Sequence, residues 1–167
     1  MLAEDRGVQG CGIEIDQAHV IECVRQGVTV IQHDLDTGLP TFPRDCFDYV
    51  ILSQTLPEVH QPERVIREML RIGRVAIVSF PNFAHWQARV QLATHGNSHV
   101  TSALPTPWYQ TERIRFLSLK DFETFCQTIG AKILAKIALD RHGRRIRRFN
   151  NLLAQQAVYV LTQSNPP

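Results

Sequence analysis

Two rhythms alternate along this chain: short β-branched runs, and stretches with apolar residues spaced three and four apart. Val8–Ile15 reads as a strand, and Asp16 behind it as the N-cap of a helix whose apolar stripe is Val20, Ile21 and Val24. Gly27 supplies the left-handed stop. Val28–Asp34 is a second strand, rich in β-branched residues. After a loop holding Pro40 and Pro43, Phe47–Ser53 is a nearly continuous apolar run, the pattern of a strand buried on both faces of a parallel sheet. Pro62 suits the first turn of a helix that turns Val65, Ile66, Met69 and Leu70 inward and closes at Gly73. Val75–Phe80 is another buried strand.

The second half continues the alternation. Asn82 caps a helix through His95 that is stopped by Gly96, with Phe83, Trp86 and Val90 on one side. Thr101–Tyr109 is a proline-broken loop, in which Trp108 and Tyr109 either form a recognition loop or cover the sheet edge. Ile114–Leu117 reads as a short strand, and Ser118 with Asp121 as a capping box opening a helix with Phe122, Phe125 and Ile129 inside. Lys132–Leu139 and Ala157–Thr162 close the chain as two strands. The order β-α-β-β-α-β-α-(β)-α-β-β specifies an α/β fold, a doubly wound and mostly parallel sheet with an antiparallel C-terminal edge. Residues 1–163 are expected to form one domain, followed by a polar tail at 164–167.

Composition narrows the setting without naming a reaction. Of 167 residues, 44% are apolar and 20% charged, ordinary values for a globular chain. No apolar run reaches the length a bilayer span requires, and Met1–Gly12 lacks the apolar core of a signal peptide, so no membrane partner is expected. Cys11, Cys23, Cys46 and Cys126 form no CxxC pair, which suits reduced thiols in the cytoplasm better than a disulfide framework or a zinc site. His95 and His99 are too thin a constellation for a metal. A net charge of +2 gives no global bias toward nucleic acid. Against that background Asp140–Phe149 stands out for Arg141, Arg144, Arg145, Arg147 and Arg148. Solvated surface charge is the commoner reading of such a run; an acidic partner surface or a phosphate-bearing ligand is the other.

The start of the chain does not fit the pattern. Leu2–Arg6 with Gly7 behind it reads as the last turn of a helix that nothing precedes. In a doubly wound nucleotide fold the first strand and its glycine loop come before that point. Gly7, Gly10 and Gly12 spell GxxGxG and lead into a strand, whereas the dinucleotide fingerprint leaves a strand and opens a helix.

From Gly10 through Ala93, in runs such as GIEID, QHDLD, FDYVILSQTL and IVSFPNFAHW, and again through Pro105–Cys126, the sequence resembles the MetW family, methionine biosynthesis protein W of bacteria. The resemblance implies the Rossmann-like class I S-adenosylmethionine methyltransferase fold. It also implies a role in L-methionine biosynthesis beside a homoserine O-acetyl- or succinyltransferase of the MetX type. A methyltransferase acting on a small molecule is the alternative. Family members begin with a strand and a loop of the type VLDLGCGDG, which wraps the methionine part of the cofactor. That segment is expected to be missing here, so binding of S-adenosylmethionine or S-adenosylhomocysteine is expected to be weakened or lost. Strand edges left unpaired by the same loss favour self-association.

The resemblance gives roles to particular residues. Glu14, at the end of the first strand, is placed to accept from both ribose hydroxyls, the alternative being a solvated strand-end acid. Asp34 ends the next strand, placed to accept from the adenine amino group, with Ile15 and Leu35 against the ring faces. Ser53 and Gln54 end the third strand, where a transferred methyl and its acceptor would meet. They are hydrogen-bonding groups and not strong bases. His60, His85 and Tyr109 are the nearest in type to an acceptor-side base, and nothing in the sequence gathers them into one site. No catalytic residue is assigned.

Overall fold

The structure, a computed structural model, describes residues 7–96, 110 and 114–164. The expected helix end at Leu2–Arg6 and the loop with Trp108 and Tyr109 lie outside the described residues. The chain divides into two compact units, Met1–Leu39 and Pro40–Pro167.

The first unit is a β-α-β element: β1 (Gly12–Glu14), α1 (Gln17–Arg25) and β2 (Val30–Gln32). The two strands run parallel, with Gly12 opposite Val30 and Glu14 opposite Gln32. Asp16 caps α1 through one carboxylate oxygen, which accepts from Ala18 N at 2.7 Å and His19 N at 3.2 Å. Gly27, at φ 74°, turns the chain out of the helix as its sequence position requires. Both strands are shorter than the apolar runs that predict them, because each has a single ladder partner and a two-stranded sheet is marginal. Two three-residue strands and one nine-residue helix enclose no core, so no residue of α1 is buried and Ile21 and Val24 stay exposed.

The second unit holds a five-stranded mixed sheet in the order β3-β4-β7-β5-β6, built from β3 (Phe47–Ser53), β4 (Gly73–Pro81), β5 (Ala131–Leu139), β6 (Arg145–Ile146) and β7 (Gln156–Gln163). β3 and β4 are parallel, and β7 runs antiparallel to both β4 and β5, so β3, β4 and β5 share one direction. The expected antiparallel pairing of the last two long strands is present, with β7 inserted between β4 and β5.

Helix α2 (Pro62–Ile72) follows its sequence pattern closely: Pro62 opens it and Val65, Ile66, Met69 and Leu70 are buried. It passes into β4 at Gly73 without a connecting loop. Helix α4 (Leu119–Thr128) carries the expected capping box, with Asp121 N donating to Ser118 Oγ and Ser118 N donating to the Asp121 carboxylate.

The core centres on three rings. Phe80 lies 4.8 Å from Phe122 and 5.7 Å from Tyr159, and Phe122 lies 4.8 Å from Tyr159. Such aromatic pairs add to plain area burial. The Tyr159 hydroxyl donates to Glu123 Oε1 at 2.9 Å, and Lys136 Nζ donates to the same oxygen at 2.5 Å. One phenol in an apolar interior thereby keeps a partner. Burial, with the Glu123 charge added, pushes the buried Cys126 thiol up to about 12.

Two expectations give way to tertiary contacts, and one stretch gains elements that the sequence pattern does not predict. Helix α3 starts at Trp86 with His85 as its cap, not at Asn82 (α3 is Trp86–His95). Asn82 is buried and its amide donates instead to Ala154 O at 2.8 Å and Asn151 O at 3.1 Å. Ile114–Leu117 is not a strand: Ile114 N and Arg115 N both donate to Pro57 O. Finally, β6 and the short α5 (Asn150–Leu153) occupy a stretch that carries no apolar period.

Candidate functional site

The strand ends carry the residues of interest. In the first unit, β1 ends at Glu14 and the chain bends at once into α1. Glu14 Oε1 accepts from Ile15 N at 2.8 Å and from Asp16 N at 3.0 Å, while Oε2 faces His19 Nδ1 at 4.0 Å. One oxygen is thus fixed by the backbone, which orients the carboxylate and leaves the other with acceptor capacity. Beyond β2, His33 N donates to Glu14 O at 3.0 Å, tying the two strand ends together. Asp34 caps the following 3₁₀ turn Leu35–Thr37, its Oδ1 accepting from Asp36 N at 2.9 Å.

Glu14, Ile15, Asp34 and Leu35 therefore share the carboxyl end of one β-α-β unit. Ile15 is 63% exposed and presents an uncovered apolar surface there. A diol would offer two donors to Glu14, an exocyclic amine an N–H to Asp34, and Ile15 and Leu35 would suit a flat ring. That set of acceptors and apolar side chains would suit the adenosine half of S-adenosylmethionine.

Ser53 and Gln54 stand in the second unit, at the carboxyl end of β3. Both converge on Ser79 of β4. Ser53 Oγ lies 3.3 Å from Ser79 Oγ, and Gln54 Nε2 donates to that hydroxyl at 3.3 Å. Gln54 N donates to Ser79 O at 2.9 Å, and Gln54 holds φ at 63°, a left-handed conformation uncommon outside glycine. Ser79 escapes the sequence reading because it lies inside an apolar run. A lone polar residue within VAIVSF is the signal that marks it.

The histidines scatter. His85 is buried, its Nδ1 accepts from Gln87 N at 3.4 Å, and its pKa is lowered by desolvation, opposed by a hydrogen bond to the Leu153 backbone. His85 Nδ1 thus serves as the cap of α3. His60 is exposed on the loop before α2. Tyr109 and His99 lie outside the described residues. Among the described residues, no group of three or more His, Cys, Asp or Glu side chains gathers to hold a metal ion. No helix among them is long and apolar enough to cross a membrane.

Beside His85 lies a cavity of about 300 Å³ whose lining includes Trp86, Asp140, Arg141, His142 and Gln155. It sits where β4 and β5 end and β7 begins, the same edge of the five-stranded sheet that carries Ser53 and Gln54.

Over residues 1–161 the chain matches the family model described as methionine biosynthesis protein MetW. It is 37% identical over 158 residues to the bifunctional methionine biosynthesis protein MetXA/MetW of Rhodopirellula baltica. The match covers 92% of this chain and 25% of that protein, so the chain spans about a quarter of its relative's length. Among solved structures it is similar to an S-adenosylmethionine-dependent methyltransferase of Thermotoga maritima, described as a possible histamine N-methyltransferase. There the TM-score is 0.68 at 17% identity, over 96% of this chain and 75% of that one. It is similar also to the [4+2]-cyclase SpnF, with a TM-score of 0.66 at 17% identity over 99% and 70%. At such identities the likeness shows the α/β fold alone.

Proposed function

The chain belongs to the family of methionine biosynthesis protein MetW, and from that premise we propose that it supports a homoserine O-acyltransferase of the MetX type in L-methionine biosynthesis. The observation that carries this reading is the Rhodopirellula baltica relative, one polypeptide named for MetXA and MetW together. Two modules on one chain meet at a high effective concentration, and separate chains with the same task must bind instead. The absence of a recognisable strong base at Ser53 and Gln54 accords with a supporting role, since neither side chain titrates near neutrality. Work on an amino-acid intermediate supports a cytoplasmic reading, with which the exposed free thiols of Cys11 and Cys46 accord.

The test mixes the purified chain with a MetX-type acyltransferase and follows acylation of homoserine. Complex formation with a raised rate is the expected result. An acyltransferase whose mobility and rate are both indifferent to the chain rules the reading out.

The arrangement at Glu14 and Asp34 favours a second reading, a methyltransferase acting on a small molecule. S-adenosylmethionine supplies an electrophilic methyl group when bound. Glu14 and Asp34 would hold its ribose and adenine, and a methyl transfer that rests on geometry needs no base. Titration with S-adenosylhomocysteine during a thermal melt separates the readings. A ligand bound only by the folded chain raises the midpoint, and Glu14→Gln should abolish that rise. A cooperative melt indifferent to the ligand excludes the second reading.

A further inference from the structure

Two sets of arginines in the second unit contrast with each other. Three on α2 and β4 have an acid to answer them: Arg67 pairs with Glu63 at 2.9 Å, Arg71 with Glu68 at 2.7 Å, and Arg74 with Asp48 at 3.3 Å. Along the β5–β6 hairpin and just beyond it, Arg141, Arg144, Arg145, Arg147 and Arg148 are all exposed, and none joins an ion pair among the described residues. The segment's acid, Asp140, holds the turn through Oδ1, which accepts from His142 N and Arg144 N at 2.8 Å each. Five arginines against one acid, in a chain whose net charge is only +2, is a concentrated positive face.

Two further features lie beside that charge. Phe149 is 75% exposed and holds φ at 52°, so an aromatic ring stands in solvent on a left-handed backbone. Leu152 and Leu153, one helical turn on, are also exposed. At the base of the hairpin is the cavity of about 300 Å³, where Arg141 and His142 face Trp86, itself 45% exposed. Arginine and aromatic anchors around a pocket, with a charged surround, are the composition of a protein-binding hot spot.

On the acyltransferase reading above, we propose that this hairpin and cavity are where the partner enzyme docks, through an acidic segment of its surface. A carboxylate of that segment enters the cavity and meets the Arg141 guanidinium. Further carboxylates lie across Arg144, Arg145, Arg147 and Arg148, and an apolar side chain covers Phe149. Arginine's planar fork suits carboxylates in pairs, which gives such a dock its register as well as its attraction. The apolar anchor and the confinement of charge to ten residues favour a protein over a nucleic acid, whose backbone asks for a longer basic track.

The experiment is surface plasmon resonance of the full chain against a MetX-type acyltransferase at low and high salt. Four chains are compared: wild type, Arg147→Glu with Arg148→Glu, Phe149→Ala, and a control with Arg25→Glu and Arg67→Glu. Wild-type affinity should fall as salt rises. The hairpin double variant should lose about tenfold or more in affinity with its melting midpoint unchanged. Phe149→Ala should lose less, and the control should bind as wild type does. Wild-type and hairpin-variant chains that bind equally overturn the docking proposal and leave the acyltransferase reading standing. An acyltransferase that binds neither chain overturns both. A wild-type chain that holds phosphatidylglycerol vesicles or duplex DNA in preference to the enzyme also overturns the docking proposal.

Discussion

At Gly73 the last turn of α2 runs directly into β4, and the reason for glycine is room rather than dihedral angle. A Cβ there would lie 2.5 Å from Val50 Cγ2 and 3.2 Å from Met69 O. Val50 is β-branched and has few rotamers into which to retreat. Gly73→Ala should cost about 1–3 kcal/mol in a urea titration, the usual penalty of overpacking. Adding Val50→Ala should return part of that loss, and two independent penalties would show that the clash is elsewhere. His85 offers a different handle. Its folded pKa lies below the ordinary 6.5, chiefly through desolvation, so below that pH the unfolded chain takes up a proton that the folded chain resists. The stability His85 contributes is therefore complete above 6.5 and is lost as pH falls toward its lowered folded value. His85→Asn keeps a cap acceptor and removes the titration, so its unfolding midpoint should fall less steeply with acidification in that window.

Among the elements, legibility in the sequence tracks how much each one settles locally. Helix α2 declares itself through Pro62 and the Val65, Ile66, Met69, Leu70 stripe, and α4 through Ser118 and Asp121, because period and caps sit in the same dozen residues. β6 does not: Arg145 and Ile146 are a strand only because Leu139 and Ala138 lie opposite them. Asn82 likewise looks like a helix cap until the carbonyls of Asn151 and Ala154, some seventy residues on, claim its amide. The candidate site divides the same way. Glu14 and Asp34 are visible as acids at strand ends, whereas Ser79 acquires its meaning from Ser53 and Gln54 on a neighbouring strand. The ladders also differ in strength. β4 and β7 are paired on both sides, while β1 and β2 have three register pairs with each other. Amides of β1 and β2 should exchange with solvent well before those of β4 and β7 in hydrogen exchange, and equal protection would mean that other contacts hold the short pair. β3 has β4 as its one ladder partner among the described residues, with Tyr49 and Ile51 exposed along it. The expected self-association would use such an edge.

At the scale of the whole molecule, the family settles more than the fold does. An architecture found in a methyltransferase of Thermotoga maritima and in the cyclase SpnF cannot by itself fix a reaction. The MetW family and a relative named for both MetXA and MetW support the proposed role in methionine synthesis, and the measurements proposed above separate partner from catalyst. One interior group supplies a way to watch the molecule open. Cys11 and Cys46 are exposed, while Cys126 is enclosed in the core with its thiol held near 12. An aromatic disulfide reagent at neutral pH should modify the outer pair at once. The inner sulfur should wait for the Phe80, Phe122 and Tyr159 cluster to come apart. Its lag is a stopwatch on the life of the folded state, and any partner or ligand that grips the second unit should slow the hand.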